Sequence, residues 1–476
     1  MRASMSPALD VLSPTVRSVL ARAGDPGYDK WAAQLKHAGY CRRPVRLVGS
    51  SITVEETTGV VRSRFDTATE PDGMLLKACR NRRTTVCPTC AETYRADSYQ
   101  LVAAGLAGGK TVPDTVAAHP RLFVTLTAPS FGSVHSRRES DNGQVRPCRP
   151  APGHCPHGVR RGCNRRHPAG EELLGQPICP DCFDYAGAVL WQAQTGELWR
   201  RTTIAIVRQL ARQAGRPVRH VLTEVRLSYT KVVEYQTRGL VHFHAVVRLD
   251  AKPPPDDPLL VLPPPAGYSG TMLAEAVTTA VSMTTAPALT DDPGLPGTIS
   301  WGSQVDVRTV PTRSCADGGS RQVAGYIAKY ATKSTDDSGA LDHRIRERDQ
   351  IDTLAVNDHL RRLVATAWHL GRQPHLDGLR LRAWAHTLGY RGHWATRSRR
   401  YSTTLKALRL ARQDWHHGAA APVTGNVIPL ARAGQWRFAG SGYRSSGDEW
   451  LASSAAASYE AQRAAAQLDA RTRIAS

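Results

Sequence analysis

The sequence predicts an α+β fold built on an antiparallel sheet, and three observations carry that reading. Leu122-Phe-Val-Thr125-Leu-Thr127 is a short alternating run closed by Pro129, with Thr125 and Thr127 on one face. Tyr185 to about Gln213 repeats apolar residues at helical spacing and stops at Ala214-Gly215-Arg216-Pro217. Two strand-like runs then follow in close succession, His220 to Glu234 and Leu240 to Leu249.

The remaining elements complete the pattern. A Pro-rich loop, with Pro253-Pro-Pro and Pro263-Pro-Pro, separates the second run from a helix near 270–285. A strand from Gln304 to Val310 leads into a helix beginning near Arg321. The order is strand, helix, strand, strand, helix, strand, then one more helix. A βαββαβ core of this kind makes a ferredoxin-like antiparallel sheet, here with an added helix. Beyond residue 335 the chain is Arg-rich and reads as mostly helical. The Ala/Gly/Ser-biased tail, 418–476, reads as flexible apart from a terminal helix.

At 476 residues there is room for about three domains of about 150 residues. Lys and Arg number 62 against 41 Asp and Glu, a net charge of +21 that favours a polyanionic partner, nucleic acid foremost. The stretch Met1–Asp10 lacks the apolar core of a signal peptide. No run of about 18 apolar residues occurs, so no membrane partner is expected and the chain is placed in the cytoplasm. Its ten cysteines would stay reduced there, and their close spacing points to metal rather than disulfides.

Two zinc sites are expected. The first centres on the knuckle Cys87-Pro-Thr-Cys90, with Cys79 as a near third ligand and Cys41 as the remaining upstream thiol. The second lies in an irregular insert holding Cys148, His154, Cys155, His157, Cys163, His167 and the knuckle Cys179-Pro-Asp-Cys182. Cys155, Cys163, Cys179 and Cys182 are the first choice there, and either His157 or His167 can displace one of them.

In Val241-His242-Phe243-His244 the two histidines share one strand face and can share a metal ion. Thr237-Arg238-Gly239 makes a three-residue hairpin loop with glycine at the left-handed position. In that register Gln236 faces Leu240 and Glu234 faces His242, so Glu234, His242 and His244 converge. Two imidazoles and a carboxylate suit a divalent ion with open positions, magnesium or manganese. Surface pairing of Glu234 with Arg226, Lys231 or Arg248 is the competing reading.

The helix Val323-Ala-Gly-Tyr326-Ile-Ala-Lys329-Tyr330-Ala-Thr-Lys333 interleaves two i,i+4 pairs, Tyr326 with Tyr330 and Lys329 with Lys333. A tyrosine hydroxyl can act as a nucleophile, and a nearby lysine can hold a phosphate or protonate a leaving oxygen.

Phe123-Val-Thr-Leu-Thr127, His242-Phe-His244 and Tyr326-Ile-Ala-Lys329-Tyr330-Ala-Thr-Lys333 resemble motifs one, two and three of rolling-circle replication initiators, which are His-hydrophobe-His endonucleases. The wider chain, about residues 40 to 410, is similar to replication initiators of actinobacterial plasmids and integrative elements. The resemblance implies an origin-specific nickase acting on origin DNA, duplex and exposed single strand. It would form a 5′-phosphotyrosyl link and leave a 3′-hydroxyl primer for a host DNA polymerase. Tyr330 is the first choice of nucleophile, and Tyr326 is a second nucleophile or a packing residue. No P-loop is present, so a host helicase is an expected partner.

On this reading, residues 1–115 form a basic region with a zinc site. Residues 116–335 form the nuclease domain, with its zinc-binding insertion at about 140–185. Residues 336–417 form a basic helical DNA-binding region. In that region Arg391, Arg397, Arg399 and Arg400 are expected to contact DNA phosphates, and Trp394 or Tyr401 to stack on unpaired bases. A non-enzymatic zinc-containing DNA-binding regulator explains the charge and cysteines but leaves the histidine strand and tyrosine helix without a purpose. A conjugative relaxase or single-strand transposase would use the same chemistry. However, relaxases carry the nucleophile ahead of the histidines, and such transposases are much shorter.

Overall fold

The computed structural model describes residues 12–257, 260–289, 297–311, 319–332, 343–416 and 430–475. Helices α1 (Pro14–Ala23) and α2 (Tyr28–His37) precede strands β1 (Val45–Glu55), β2 (Val61–Asp66) and β3 (Leu75–Lys77). Helix α3 (Pro88–Ala107) leads to β4 (Arg121–Leu126), and the insert contributes only β5 (Arg138–Glu139) and β6 (Val145–Arg146). Next come α4 (Tyr185–Gln213), α5 (Val218–Glu224), β7 (Val225–Tyr235), β8 (Val241–Ala251) and α6 (Gly270–Met283). Short strands β9 (Thr285–Pro287) and β10 (Thr298–Ser300) are followed by β11 (Val305–Thr309), α7 (Gly319–Thr332) and α8 (Asp358–Leu370). The chain ends with β12 (Ala395–Arg397), α9 (Leu405–His416), β13 (Leu430–Ser441) and α10 (Ser446–Ala475).

The fold is α+β with antiparallel sheets, in two compact units: residues 1–95 with 411–476, and residues 96–410. These are not the divisions expected at 115, 335 and 417. In the first unit β1 is the central strand, paired with β13 along its whole length and with β2 and β3 on its other side. The tail expected to be flexible therefore supplies a twelve-residue strand as well as its helix. Arg22 of α1 ties this unit together, with ion pairs of 2.6 Å to both Asp72 and Asp448.

The second unit is built on a five-stranded sheet in the order β11-β4-β8-β7-β12, every pairing antiparallel. One face packs on α4 and α6. Leu122, Val124 and Leu126 of β4 and Phe243, Ala245, Val247 and Leu249 of β8 lie there, buried against Trp191, Leu198, Ile206 and Val277. Each large apolar side chain buried in this way contributes about 1.5–3 kcal/mol. Two of the buried indoles have their polar edges satisfied: Trp191 donates to the Ser300 carbonyl at 2.8 Å and Trp301 to the Thr202 hydroxyl at 2.9 Å.

Alternation along β8 turns His242, His244, Val246, Arg248 and Asp250 to the other face. Far from the turn, this face closes over a buried polar network. Arg248 binds Asp250 at 2.6 Å, His119 binds Asp250 at 2.8 Å, and the Tyr401 ring lies under the guanidinium at 5.2 Å.

One expected strand begins late, because 218–224 is the short helix α5. Pro217 fixes the backbone just ahead of it, and Val221 is buried one turn in. Among the described residues no helix is long and apolar enough to cross a membrane.

Candidate active site

The hairpin joining β7 and β8 has the register its turn sequence requires. Gly239 takes φ +70°, the Gln236 amide donates to the Leu240 carbonyl at 2.9 Å, and Glu234 stands opposite His242. The ligating atoms of Glu234, His242 and His244 lie within 4.8 Å of one another, and they can hold a metal ion. Glu234 Oε1 is 3.1 Å from His244 Nε2. Desolvation, reinforced by His244 and Arg238, pushes the His242 imidazole down to about 3. It is therefore neutral near pH 7, the form that ligates metal. The donor set and its convergence fit a divalent cation with open positions.

Two neighbours orient the imidazoles. Thr125, from the run on β4, faces His244 across the ladder, and its hydroxyl lies 3.2 Å from Nδ1. Gln236 places its amide nitrogen 3.4 Å from His242 Nδ1, a contact the sequence reading did not anticipate. The Phe123 ring stacks on His244 with centroids 5.8 Å apart and meets the Tyr326 ring edge-on at 5.5 Å.

Helix α7 brings Tyr326 onto this face, its hydroxyl 3.5 Å from His244 Nε2. Tyr326 is 38% exposed, so its ring is open to solvent. Lys329 is exposed on the same helix. Tyr330 belongs to α7, but the placement of its side chain, like all of Lys333, lies outside the described residues.

The cysteines separate into more groups than expected. Cys41, Cys79, Cys87 and Cys90 converge as the sequence suggests, with Cys41 and Cys87 sulfurs 3.7 Å apart. In the insert, Cys155, Cys179 and Cys182 converge with His157, whose Nδ1 is 3.2 Å from Cys182 and 3.8 Å from Cys179. His157 thus occupies the place first assigned to Cys163. Cys163 lies instead beside Cys148, His167 and His135. His135 was not among the residues singled out, since it precedes the cysteine-dense stretch by more than ten positions.

The C-terminal aromatic expectations are also corrected. Trp394 is only 7% exposed, its ring 5.2 Å from Tyr235 and 5.1 Å from Tyr390, and Tyr401 is fully buried. The Trp394 carbonyl accepts from the Val233 amide at 2.8 Å, so joining the sheet edge carries the indole inward. Arg399 and Arg391 are exposed, Arg391 donating to the Gly378 carbonyl at 2.7 Å, while Arg397 and Arg400 are half-buried.

Two comparisons with known proteins return matches. A family model described as "Replication initiator protein, pSAM2" matches residues 27–457. A replication initiator protein of Streptomyces ambofaciens is 40% identical over 471 residues, covering 96% of each chain. No solved structure matches the chain.

Proposed function

Because the chain belongs to this family of replication initiators, we propose that it starts rolling-circle replication by nicking one strand of its element's double-strand origin. The observation that carries the proposal is the Tyr326 hydroxyl on α7, 3.5 Å from a histidine that belongs to a convergent His-His-Glu set. A nucleophile of the right type sits beside a set of metal ligands, and the antiparallel order β11-β4-β8-β7-β12 of the sheet beneath them supports reading it as a ferredoxin-like core.

His242, His244 and Glu234 would hold magnesium or manganese, which when bound polarises a phosphoryl oxygen and offsets the charge developing on it. The chain's own groups do the rest. A tyrosine oxygen on α7 attacks phosphorus as the bond to the 3′ oxygen breaks, leaving a 5′-phosphotyrosyl link and a 3′-hydroxyl for a host polymerase. Lys329 and Lys333 steady the phosphate and protonate the departing oxygen. Tyr330 is the first nucleophile. It stands one turn beyond Tyr326, which takes the second transfer at termination.

Cys41, Cys79, Cys87 and Cys90 form one structural zinc site, and Cys155, His157, Cys179 and Cys182 another. Arg391, Arg397, Arg399 and Arg400 contact the duplex backbone, and unwinding beyond the origin falls to a host helicase.

Nicking of a supercoiled plasmid carrying the element's origin tests the proposal. Tyr330→Phe abolishes the covalent adduct of the first cleavage, whereas Tyr326→Phe nicks but fails to release closed circles. An adduct that persists in the double variant refutes the assignment.

A further inference from the structure

We propose that His135, Cys148, Cys163 and His167 form a third zinc site, complete in itself and separate from the two sites built on cysteine knuckles. The four ligand atoms lie within 4.8 Å of one another. Cys148, Cys163 and His167 are 1%, 8% and 0% exposed and His135 is half-buried, so most of the cluster is shielded from water.

The backbone builds the site from two clipped segments. Cys148 and Cys163 are brought together by a short ladder: the Cys148 amide donates to Arg165 at 2.9 Å, and Arg149 and Cys163 exchange bonds of 2.8 and 2.9 Å. His135 is fixed to the far end of the insert, its amide donating to Gln176 and its carbonyl accepting from Gly175, both at 2.8 Å.

Two of the separations are close to those a tetrahedral zinc ion imposes. Bonds of about 2.3 Å to sulfur and about 2.05 Å to nitrogen put two nitrogens about 3.4 Å apart, and a nitrogen and a sulfur about 3.6 Å apart. His135 Nδ1 and His167 Nε2 are 3.2 Å apart, and Cys163 Sγ and His167 Nε2 are 3.5 Å apart.

The surroundings are prepared for the ion as well. His167 donates Nδ1–H to Glu171 at 2.7 Å, which leaves Nε2 as its bare nitrogen, and Arg165 holds the other Glu171 oxygen at 2.7 Å. The Ser136 amide donates to Cys148 Sγ at 3.1 Å, which favours the thiolate. Two thiolates balance the charge of the ion.

The site also reaches the hairpin. Gly175, clipped to His135, takes φ +85°, and a Cβ there would come within 2.3 Å of the Thr237 carbonyl group. The ion therefore holds a strut against the turn that sets the register of Glu234 and His242. That the turn serves nicking rests on the function proposed above; the metal site does not.

Zinc counted by mass spectrometry on the full chain tests the site, together with X-ray absorption at the zinc edge. Three ions per chain are expected, with a mean shell of three sulfurs and one nitrogen. Cys148→Ser with Cys163→Ser lowers the count to two and raises the mean to about three and a half sulfurs. A wild-type count of two or fewer, or an unchanged count in the variant, overturns the proposal. Should the variant fail to fold, the wild-type count and shell still decide. In a folded variant, amide exchange at Gln236 and Gly239 rises at least about tenfold, and unchanged exchange there removes the strut. Loss of nicking with three ions retained counts against the nuclease reading alone.

Discussion

Thr125 faces His244 across the β4–β8 ladder with its hydroxyl 3.2 Å from Nδ1. The contact assigns a role to the run on β4, which holds no ligand of its own. By accepting from Nδ1–H, Thr125 leaves Nε2 bare toward Glu234 and the incoming ion. Thr125→Val keeps the shape and removes the acceptor. It should lower the apparent manganese affinity in nicking by about 10–100-fold, the usual effect of losing an outer-shell partner, while Thr125→Ser stays near wild type. Manganese titration of the nicking rate measures it.

Gly239 has φ +70°, and a Cβ there would meet Leu363 Cδ1 at 2.7 Å. Gly239→Ala combines left-handed strain with this contact and should cost about 1–3 kcal/mol. Thermal unfolding reads the loss, and nicking falls with it because the turn sets the ligand register.

Lys231 is buried with its ammonium 4.6 Å from the centre of the Phe243 ring, and burial pushes its pKa down to about 7 from 10.5. The unfolded chain binds this proton below pH 10.5 and the folded chain only below about 7. Stability from this group therefore grows as pH rises from 7 to 10.5 and is lost as pH falls through that window. Its span is on the order of 3–5 kcal/mol. Lys231→Met should flatten the rise and stabilise the protein at pH 7, checked by urea unfolding at pH 7 and pH 9.5.

Trp394 fills the core between Tyr235 and Tyr390. Trp394→Ala should cost about 3–5 kcal/mol. Trp394→Phe should fold and bind single-stranded DNA within about twofold of wild type. A selective binding loss in the folded Phe variant would place the indole on DNA instead.

Local chemistry was the most legible part of the molecule. Glycine at position 239 and the alternation on either side of the turn are enough to put Glu234 opposite His242, because register depends on loop length. The Tyr185–Gln213 helix is likewise visible from its spacing and its Gly-Pro stop. Long-range partners were not legible. Nothing about Cys163 alone says whether it turns to Cys179 or to Cys148, since that choice is made by the backbone ladder with Arg149. Trp394 and Tyr401 have the same composition signature as base-stacking residues, and only the pairing of β12 with β7 shows that they face inward. The strand Leu430–Ser441 was hidden by small residues and by a partner almost 400 positions away.

That last pairing has a consequence for synthesis. β1 emerges early from the ribosome but finds its longest partner only when β13 has been made. Every residue of the 96–410 unit is translated in between. The sheet carrying the histidines can therefore be complete while the sheet around β1 is still missing a strand. A nascent chain stalled before residue 430 should hold a folded 96–410 unit and an exposed β1 edge, open to pairing with another chain.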